Sequence, residues 1–496
     1  MADELAAAGP AAIAPIMTAQ SRAALIADLA ARFGPRAVVT DAELIAPWLT
    51  DWRGRYNGTA DAILAPASTG EAAAMVAAAH AAGVALVPQG GNTSMVGGAS
   101  PPADGAALIL TTRRMTAIRH IAADHAVAEA GVILQTLHNA AAEKGLRFPL
   151  TLGAKGSATL GGLASTNAGG TQVLRFGTMR SLVLGVEAVL PDGSVIDTIA
   201  PLRKDTRGYD LRHLLVGAEG TLGLITAVSV RLIPAIRQRV VAWAGLASPA
   251  DALRLLRLME AGSGEAIESF EIIPGDSLAL VLAHIPGARA PLMGEHPWHV
   301  LIEAVSGDAA SPQPLIERLL GEGLEAGLVA DATIAASEAQ AEAFWQLRDS
   351  LSAAERAAGP AVQHDIAVPV DAMPAFMMDV ARLAEARFPG THATAFGHLG
   401  DGNVHFHVRA APGMESAQFH AEQAESITRF VHDQVVAAGG TISAEHGIGQ
   451  MKLAELARLE SPARLAALRA IKTAIDPAGL MNPGKLVPLA QPRAPK

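Results

Sequence analysis

The sequence predicts an α+β fold in two successive parts of different texture, with a helical tail that returns to the first part. Three observations predict it. Up to about residue 236, short apolar runs alternate with dense glycine clusters. After Pro234 the pattern changes to strands alternating with amphipathic helices. From about residue 441 the chain is mostly helical again. The expected division is an N-terminal helical segment over 1–50, a glycine-loop domain over 51–236, an α+β domain with an antiparallel sheet over 237–440, and a C-terminal segment over 441–496 packing back on the glycine-loop domain.

Size and composition fit this reading. A chain of 496 residues supports a large core and roughly two or three domains. Hydrophobic residues at 50% and charged residues at 17% mark a globular chain. Mean hydropathy is +0.28, yet no stretch reads as a membrane helix. The nearest candidate, 72–88, is alanine-rich and interrupted by His80 and Gly83. The N-terminus lacks a basic region followed by a continuous apolar core, so no signal peptide is expected and the expected location is cytoplasmic. A net charge of -10 argues against nucleic acid as a partner. With no cysteine, disulfides, iron–sulfur clusters and thiolate catalysis are excluded, and a metal ion must sit on His, Asp or Glu.

Taken in order, residues 1 to about 20 are rich in Ala and Pro and are expected to be loosely ordered. Residues 21–33 form a helix capped by Ser21, and 41–49 another. A strand at 62–65, a helix at 69–82 capped by Thr69 and a strand at 84–87 make a small strand–helix–strand unit. It runs into Pro88-Gln-Gly-Gly-Asn-Thr-Ser-Met-Val-Gly-Gly98, a loop whose backbone N–H groups can cradle phosphate oxygens. Strands follow at 108–110, 117–121 and 126–130, then a helix at 133–144. A second cluster spans Gly153 to Gly170, dense in small residues that let backbone approach a ligand closely. Residues 182–198 form a hairpin about Pro191-Asp-Gly193, and Gly217-Ala-Glu-Gly-Thr-Leu-Gly-Leu-Ile-Thr226 leads into a strand at 227–233. In the second part, strands are expected at 240–246, 299–304 and 362–368, and helices at 250–260, 314–322, 338–358, 372–387 and 417–437. At least one more helix lies within 453–476.

The chemistry is expected at Ala395-Phe-Gly-His-Leu-Gly-Asp-Gly-Asn-Val-His-Phe-His-Val408. Asp401-Gly402 is a strong two-residue hairpin signal. That turn would set His398 directly opposite His405, with Cβ atoms roughly 4.5–5.5 Å apart, and His407 on the same face. Two such imidazoles can share a metal ion. The best third ligand is Glu445, in Ser443-Ala-Glu-His-Gly-Ile-Gly449. A Rossmann G-x-G-x-x-G is absent. Gly479-Leu-Met-Asn-Pro-Gly-Lys485 lacks the Ser or Thr a P-loop needs, since Leu486 follows.

Together the stretches 88–98, 153–170, 204–226, 397–408, 444–449 and 482–485 resemble the FAD-linked oxidases with a vanillyl-alcohol-oxidase-type, or PCMH-type, FAD domain. Within that family the chain resembles the D-2-hydroxyglutarate and D-lactate dehydrogenase branch, from about residue 40 to 488. The resemblance implies a two-subdomain FAD-binding domain and a substrate, or cap, domain. It implies that Gly90, Gly91, Asn92 and Thr93 hold the FAD pyrophosphate and that Gly153, Ser157, Gly161, Gly162, Thr166, Asn167 and Gly170 run along the flavin side. Gly220 and Ile225 match adenine and ribose contacts, and Asn482 a residue near the isoalloxazine. No residue of the first loop matches the covalent flavin histidine of some relatives, so non-covalent FAD is expected.

The resemblance further implies a divalent metal site, zinc foremost, on His398, His405 and Glu445. His446 matches the base that takes the substrate hydroxyl proton while hydride passes to flavin N5. Arg348 matches a ligand of the substrate carboxylate, and Ser352 a second substrate contact one turn later. Three departures stand out. Gln363 replaces a lysine, His407 replaces an asparagine, and Ser94-Met95 replaces Gly-Leu. The first two fall in the substrate pocket, where Gln363 removes a positive charge suited to a second carboxylate. They leave the redox class intact and set 2-hydroxyglutarate itself in question.

The expectation is FAD-dependent oxidation of a D-2-hydroxy acid to the 2-oxo acid, with electrons passed to an electron-transfer flavoprotein or quinone. An O2-using oxidase is the near alternative, and a non-catalytic FAD-binding subunit of a glycolate-oxidase-like complex a more distant one. A metal-dependent hydrolase is a third. A homodimer is left open.

Overall fold

The computed structural model describes residues 19–202 and 204–489. The expectation of loose order over the first residues, and the end of the tail, fall outside this range. Among the described residues no helix is long and apolar enough to cross a membrane.

Two larger sheets and a two-stranded pair, Leu146–Arg147 with Ile233–Pro234, build the first part. One holds four strands in the order Val38–Val39, Ile63–Leu64, Ala107–Thr111, Ala85–Gln89. Ile63–Leu64 and Ala85–Gln89 both run parallel to Ala107–Thr111. The crossover helix Thr69–Ala81 starts one residue after its cap: Ser68 Oγ accepts from Glu71 N at 3.2 Å, while Glu71 Oε2 accepts from Ala67 N at 2.8 Å. This reciprocal box displaces the expected Thr69 cap; Thr69 Oγ1 bonds Glu187 instead. The first helix likewise begins at Ala19, so Ser21 lies inside it. The second sheet is antiparallel, in the order Ile118–Ile121, His125–Glu129, Leu224–Arg231, Val183–Val189, Val195–Asp197. Each sheet carries its own apolar cluster, around Met75 and Leu108 in one and around Leu137 and Val228 in the other.

The second part is one seven-stranded antiparallel sheet. Its order is Asp331–Ile334, Gln238–Leu246, Trp298–Ser306, Ile267–Pro274, His392–His398, Asn403–Arg409, Ala361–Ala367. Helices cover both faces, with Phe270 and Phe406 in one core and Trp243 and Phe396 in the other. The strand Ile267–Pro274 was not expected from the sequence. All eight of its residues are buried, including Glu268 and Glu271, and it touches the histidine hairpin through Glu271↔His398. The expected single helix over 338–358 is two, Glu338–Asp349 and Leu351–Ala358, parting at Ser350.

The tail does return to the first part. Met481 forms a parallel bridge with Leu86 at the open edge of the four-stranded sheet. Leu86 N donates to Leu480 O at 2.8 Å and Asn482 N to Leu86 O at 2.8 Å. Buried Lys472 reaches Thr221 O at 2.7 Å.

Candidate active site

The two glycine clusters meet across a cavity of about 670 Å³, a size suited to a small-molecule cofactor. The approach depends on missing side chains. A Cβ on Gly91 would lie 2.0 Å from Ser157 O, and one on Gly90 2.3 Å from Thr159 Oγ1. Thr159 caps the helix Leu160–Thr166, so its N-terminus opens on this wall. Gly90, Gly91, Asn92, Thr93, Gly153, Ser157, Gly161, Gly162, Thr166, Gly220 and Ile225 all line the cavity. Gln89 lines it too, with a buried Oε1 that has no protein partner. A bare cradle with an unpartnered acceptor fits a phosphate-bearing, N–H-bearing ligand such as FAD.

Three expected cofactor residues are not on that wall. Asn167 takes φ 50°, and its Oδ1 accepts from Thr178 Oγ1 and Arg180 N at 2.9 and 2.8 Å. Gly170 is packed so that a Cβ would meet Thr151 O at 2.2 Å. Asn482, at φ 48° and buried, donates to Gly98 O and Glu219 O at 2.9 and 2.7 Å. These residues shape the chain path and fasten its segments together.

The histidine hairpin is one step longer than expected. His398 pairs with Asn403, Phe396 with His405 and Thr394 with His407, leaving 399–402 as a four-residue loop. The slip is two residues, so every side chain keeps its face. His398 and His405 are diagonal neighbours with ring centroids 5.6 Å apart. Donor atoms of His398, His405 and Glu445 all lie within 4.8 Å of one another, and His398 Nε2 is 4.0 Å from Glu445 Oε1.

Behind His398 stands Glu271, whose Oε1 accepts from Nδ1 at 2.6 Å. Burial lowers the His398 pKa, but Glu271 outweighs it and holds the group up at about 9. Burial pushes Glu445 up to about 7, with Asp365 and Asp401 adding to the rise against the pull of His398. A buried carboxylate that is costly to ionise beside two imidazoles is the electrostatic setting a divalent cation would relieve. The donor set fits zinc, and Glu271 would orient one ligand.

His446 lines the cavity directly beside Glu445. Asp365 holds their loop, accepting from Glu445 N and His446 N at 2.9 Å each, and lies 3.5 Å from His446 Nδ1. Burial lowers the His446 pKa against the charge of Asp365, so the imidazole is neutral near pH 7. Farther along the loop, Glu219 Oε1 and Oε2 accept from Ile448 N and Gly449 N at 2.7 Å each.

Arg348 reaches the same center but is not a free substrate clamp. Its Nε and Nη2 lie 2.9 and 2.8 Å from Glu271 Oε2, and Nη2 is 3.1 Å from His398 Nε2. Ser352 is half-buried in the first turn of the next helix. Gln363 and His407 face each other on adjacent strands. The positive charge absent at Gln363 is met from elsewhere: Arg53 Nη1 donates to Gln363 Oε1 at 3.4 Å. The sequence reading missed Glu271, Asp365, Glu219, Gln89 and Arg53. For Glu271 the available signal was a glutamate inside an apolar run, costly unless paired.

Residues 60–199 match the family described as FAD binding domain, and residues 236–486 that described as FAD linked oxidases, C-terminal domain. A mitochondrial D-2-hydroxyglutarate dehydrogenase of Arabidopsis thaliana is 36% identical over 458 residues, 92% of this chain and 80% of that protein. A D-2-hydroxyglutarate dehydrogenase of Xanthomonas citri pv. viticola is 36% identical over 439 residues, covering 88% and 91%. Among solved structures, p-cresol methylhydroxylase with substrate bound superposes with a TM-score of 0.73 at 13% identity, over 95% of this chain and 97% of that one. These likenesses bear out the two-part fold with a PCMH-type first domain. The expected cytoplasmic location is corrected: the relatives from Arabidopsis thaliana, Bos taurus and Rattus norvegicus are mitochondrial proteins.

Proposed function

The chain belongs to the FAD-linked oxidases and is an FAD-dependent oxidoreductase, and on that premise we propose that it oxidises a D-2-hydroxy acid to the 2-oxo acid where the glycine-lined cavity meets the histidine face. One observation carries this reading. Glu445 and His446 are consecutive in the chain and both line the cavity, while Glu445 also closes the cluster with His398 and His405.

FAD, when bound, supplies the acceptor for the hydride leaving Cα. The Gly90–Gly91 loop and the wall from Gly153 to Thr166 would hold it without a covalent bond. Asn167, Gly170 and Asn482 would act indirectly, by fixing that wall. His446 receives the hydroxyl proton; its loop is held by Asp365, so the imidazole is presented to the cavity without reorganisation. His398, His405 and Glu445 would hold a divalent ion, zinc by its donor set, which supplies a Lewis acid for the substrate hydroxyl. Arg348 and Ser352 would orient the substrate carboxylate, Arg348 with the donors that Glu271 leaves unused. Electrons leave for an electron-transfer flavoprotein or quinone; O2 as acceptor is the alternative. The division at residues 50, 236 and 440 is proposed with it; the change of apolar cluster near Pro234 supports the boundary at 236, while Leu25 and Val38 from before residue 50 and Met481 from the tail share a cluster of the first part.

The relatives' activity supports the substrate class, and a hydrolytic reading falls with the FAD binding domain. The test is anaerobic mixing of the FAD-loaded enzyme with D- and L-2-hydroxy acids, read as flavin bleaching. Bleaching by D-isomers alone is expected. If none bleaches the flavin with metal present, the substrate class is wrong.

A further inference from the structure

Two buried carboxylates from different parts of the molecule grip the loop that carries His446. From the second part, Asp365 in the strand Ala361–Ala367 accepts from Glu445 N and His446 N at 2.9 Å each. From the first part, Glu219 Oε1 accepts from Ile448 N and Oε2 from Gly449 N, at 2.7 Å each. Amide-to-carboxylate bonds of this length are charge-assisted and strong. Gly447 lies between the two grips at φ 82°, and a Cβ there would lie 2.7 Å from Glu219 Oε1. The flanking attachments divide in the same way. Thr441 bridges to Ala367 of the second part, while Gln450 Nε2 donates to Gly97 O of the first at 2.9 Å. His446 therefore sits on the seam where the two parts meet.

Glu219 is itself fixed on every side. It is buried and lines the cavity. Its N donates to Ser165 O at 2.7 Å, and its O accepts from Asn482 Nδ2 at 2.7 Å. Ser165 and Gly220 line the cavity as well. Its backbone takes φ 50°, a conformation that costs a glutamate energy and persists only where the surroundings impose it. Both carboxylate oxygens are spent on loop amides, and Lys452 and Lys485 act on the group through their charge. The main chain of residue 219 thus belongs to the cofactor wall and its side chain to the loop of the base.

We propose that Glu219 is a positioning residue that ties the cofactor wall to the His446 loop, so that the base takes its place only when the two parts are docked about the cavity. The inference rests on the reading of His446 as the base and names what places it. With Asp365 alone, one end of the loop is fixed and His446 is free to swing about Gly447. With Glu219 added, both ends are fixed, and the imidazole keeps one position toward the cavity.

The test is Glu219→Gln in the FAD-loaded enzyme. Glutamine fills the same space but keeps one acceptor oxygen and turns an NH2 toward the second amide. Hydrogen exchange read by mass spectrometry needs no substrate. The peptide containing Ile448 and Gly449 should exchange about tenfold faster or more in the variant, with the strand Val183–Val189 unchanged. Wild-type protection of that peptide overturns the tie, whatever the substrate proves to be. Stopped-flow reduction by a D-2-hydroxy acid gives the second reading. The limiting rate per loaded flavin should fall on the order of 10²-fold, the cost of a misplaced group, with KM held within about twofold. In a His446→Ala background the same substitution should change the rate by less than about twofold, because it acts through His446. A wild-type limiting rate, or a further fall of about tenfold in that background, overturns the positioning role. A loosened loop in an enzyme whose wild type no hydroxy acid reduces upholds the tie and sinks the activity reading alone. If Glu219→Gln does not load FAD, Gly447→Ala displaces the same carboxylate from the loop side and is read by the same two assays.

Discussion

His398 Nδ1 donates to Oε1 of Glu271 at 2.6 Å, from one strand of the central sheet to its neighbour. The same carboxylate receives Arg348 on its other oxygen at 2.9 Å. One buried group thus fixes a candidate metal ligand and a candidate substrate residue. Glu271→Gln should leave Arg348 buried without its counter-charge, at about 3–5 kcal/mol, and weaken metal binding roughly 10–100-fold. Denaturant unfolding and elemental analysis read the two effects. Wild-type stability together with wild-type metal content would remove Glu271 from this role.

His446→Ala should keep FAD, because no glycine of the cradle is touched. Anaerobic flavin reduction should slow by roughly 10²–10⁴-fold, the usual worth of a positioned base. Stopped-flow absorbance decides it, and a wild-type rate would show that another group takes the proton.

Gly91→Ala should lose FAD. Its new Cβ would meet Ser157 O at 2.0 Å, a backbone atom that cannot rotate away. Relief would need the loop to back off, at about 1–3 kcal/mol. Gly156→Ala is the matched control, since a Cβ there meets nothing within 4 Å. The flavin-to-protein absorbance ratio after purification should drop in the first variant and hold in the second.

His299 gives the protein a pH dependence remote from the active site. Trp243 Nε1 donates to its Nδ1 at 3.1 Å, which requires that nitrogen to be unprotonated. Burial first, then His296, lowers its pKa to about 4. Between pH 6.5 and about 4 the unfolded chain binds a proton that the folded chain refuses. Stability is therefore full above 6.5 and falls as pH drops through that window, by up to on the order of 3 kcal/mol. His299→Gln keeps an acceptor for Trp243 and cannot titrate. Urea unfolding at about pH 7.5 and about pH 5 should show a smaller pH effect in the variant, and an equal effect would assign the dependence elsewhere.

Much of the fold was legible because glycine clusters, strand runs and caps are local signals. The histidine face survived an error in the turn: Asp401 Oδ1 accepts from Asn403 N at 3.0 Å and Gly402 takes φ 80°, so the pair does turn the chain, inside a longer loop. A slip of two cannot change the face. What stayed hidden was distant pairing. Glu271 and His398 are 127 residues apart, and Arg53 and Gln363 310 apart. A single sequence shows that a buried charge needs a partner without saying which. Asn167 and Asn482 show a different limit: both take left-handed backbone, which asparagine tolerates, and a single sequence cannot tell that backbone requirement from a binding role.

The bridge between Leu86 and Met481 carries a consequence for biosynthesis. The sheet edge at Leu86 stays bare until the segment around Met481, encoded about 400 codons later, emerges and covers it. Asn482 then ties down Gly98, at the end of the first glycine loop. The groove beside the first glycine loop is thus completed only once residues 480–482 are in place, and a nonsense truncation a few residues short of 480 would forfeit a site encoded hundreds of codons upstream.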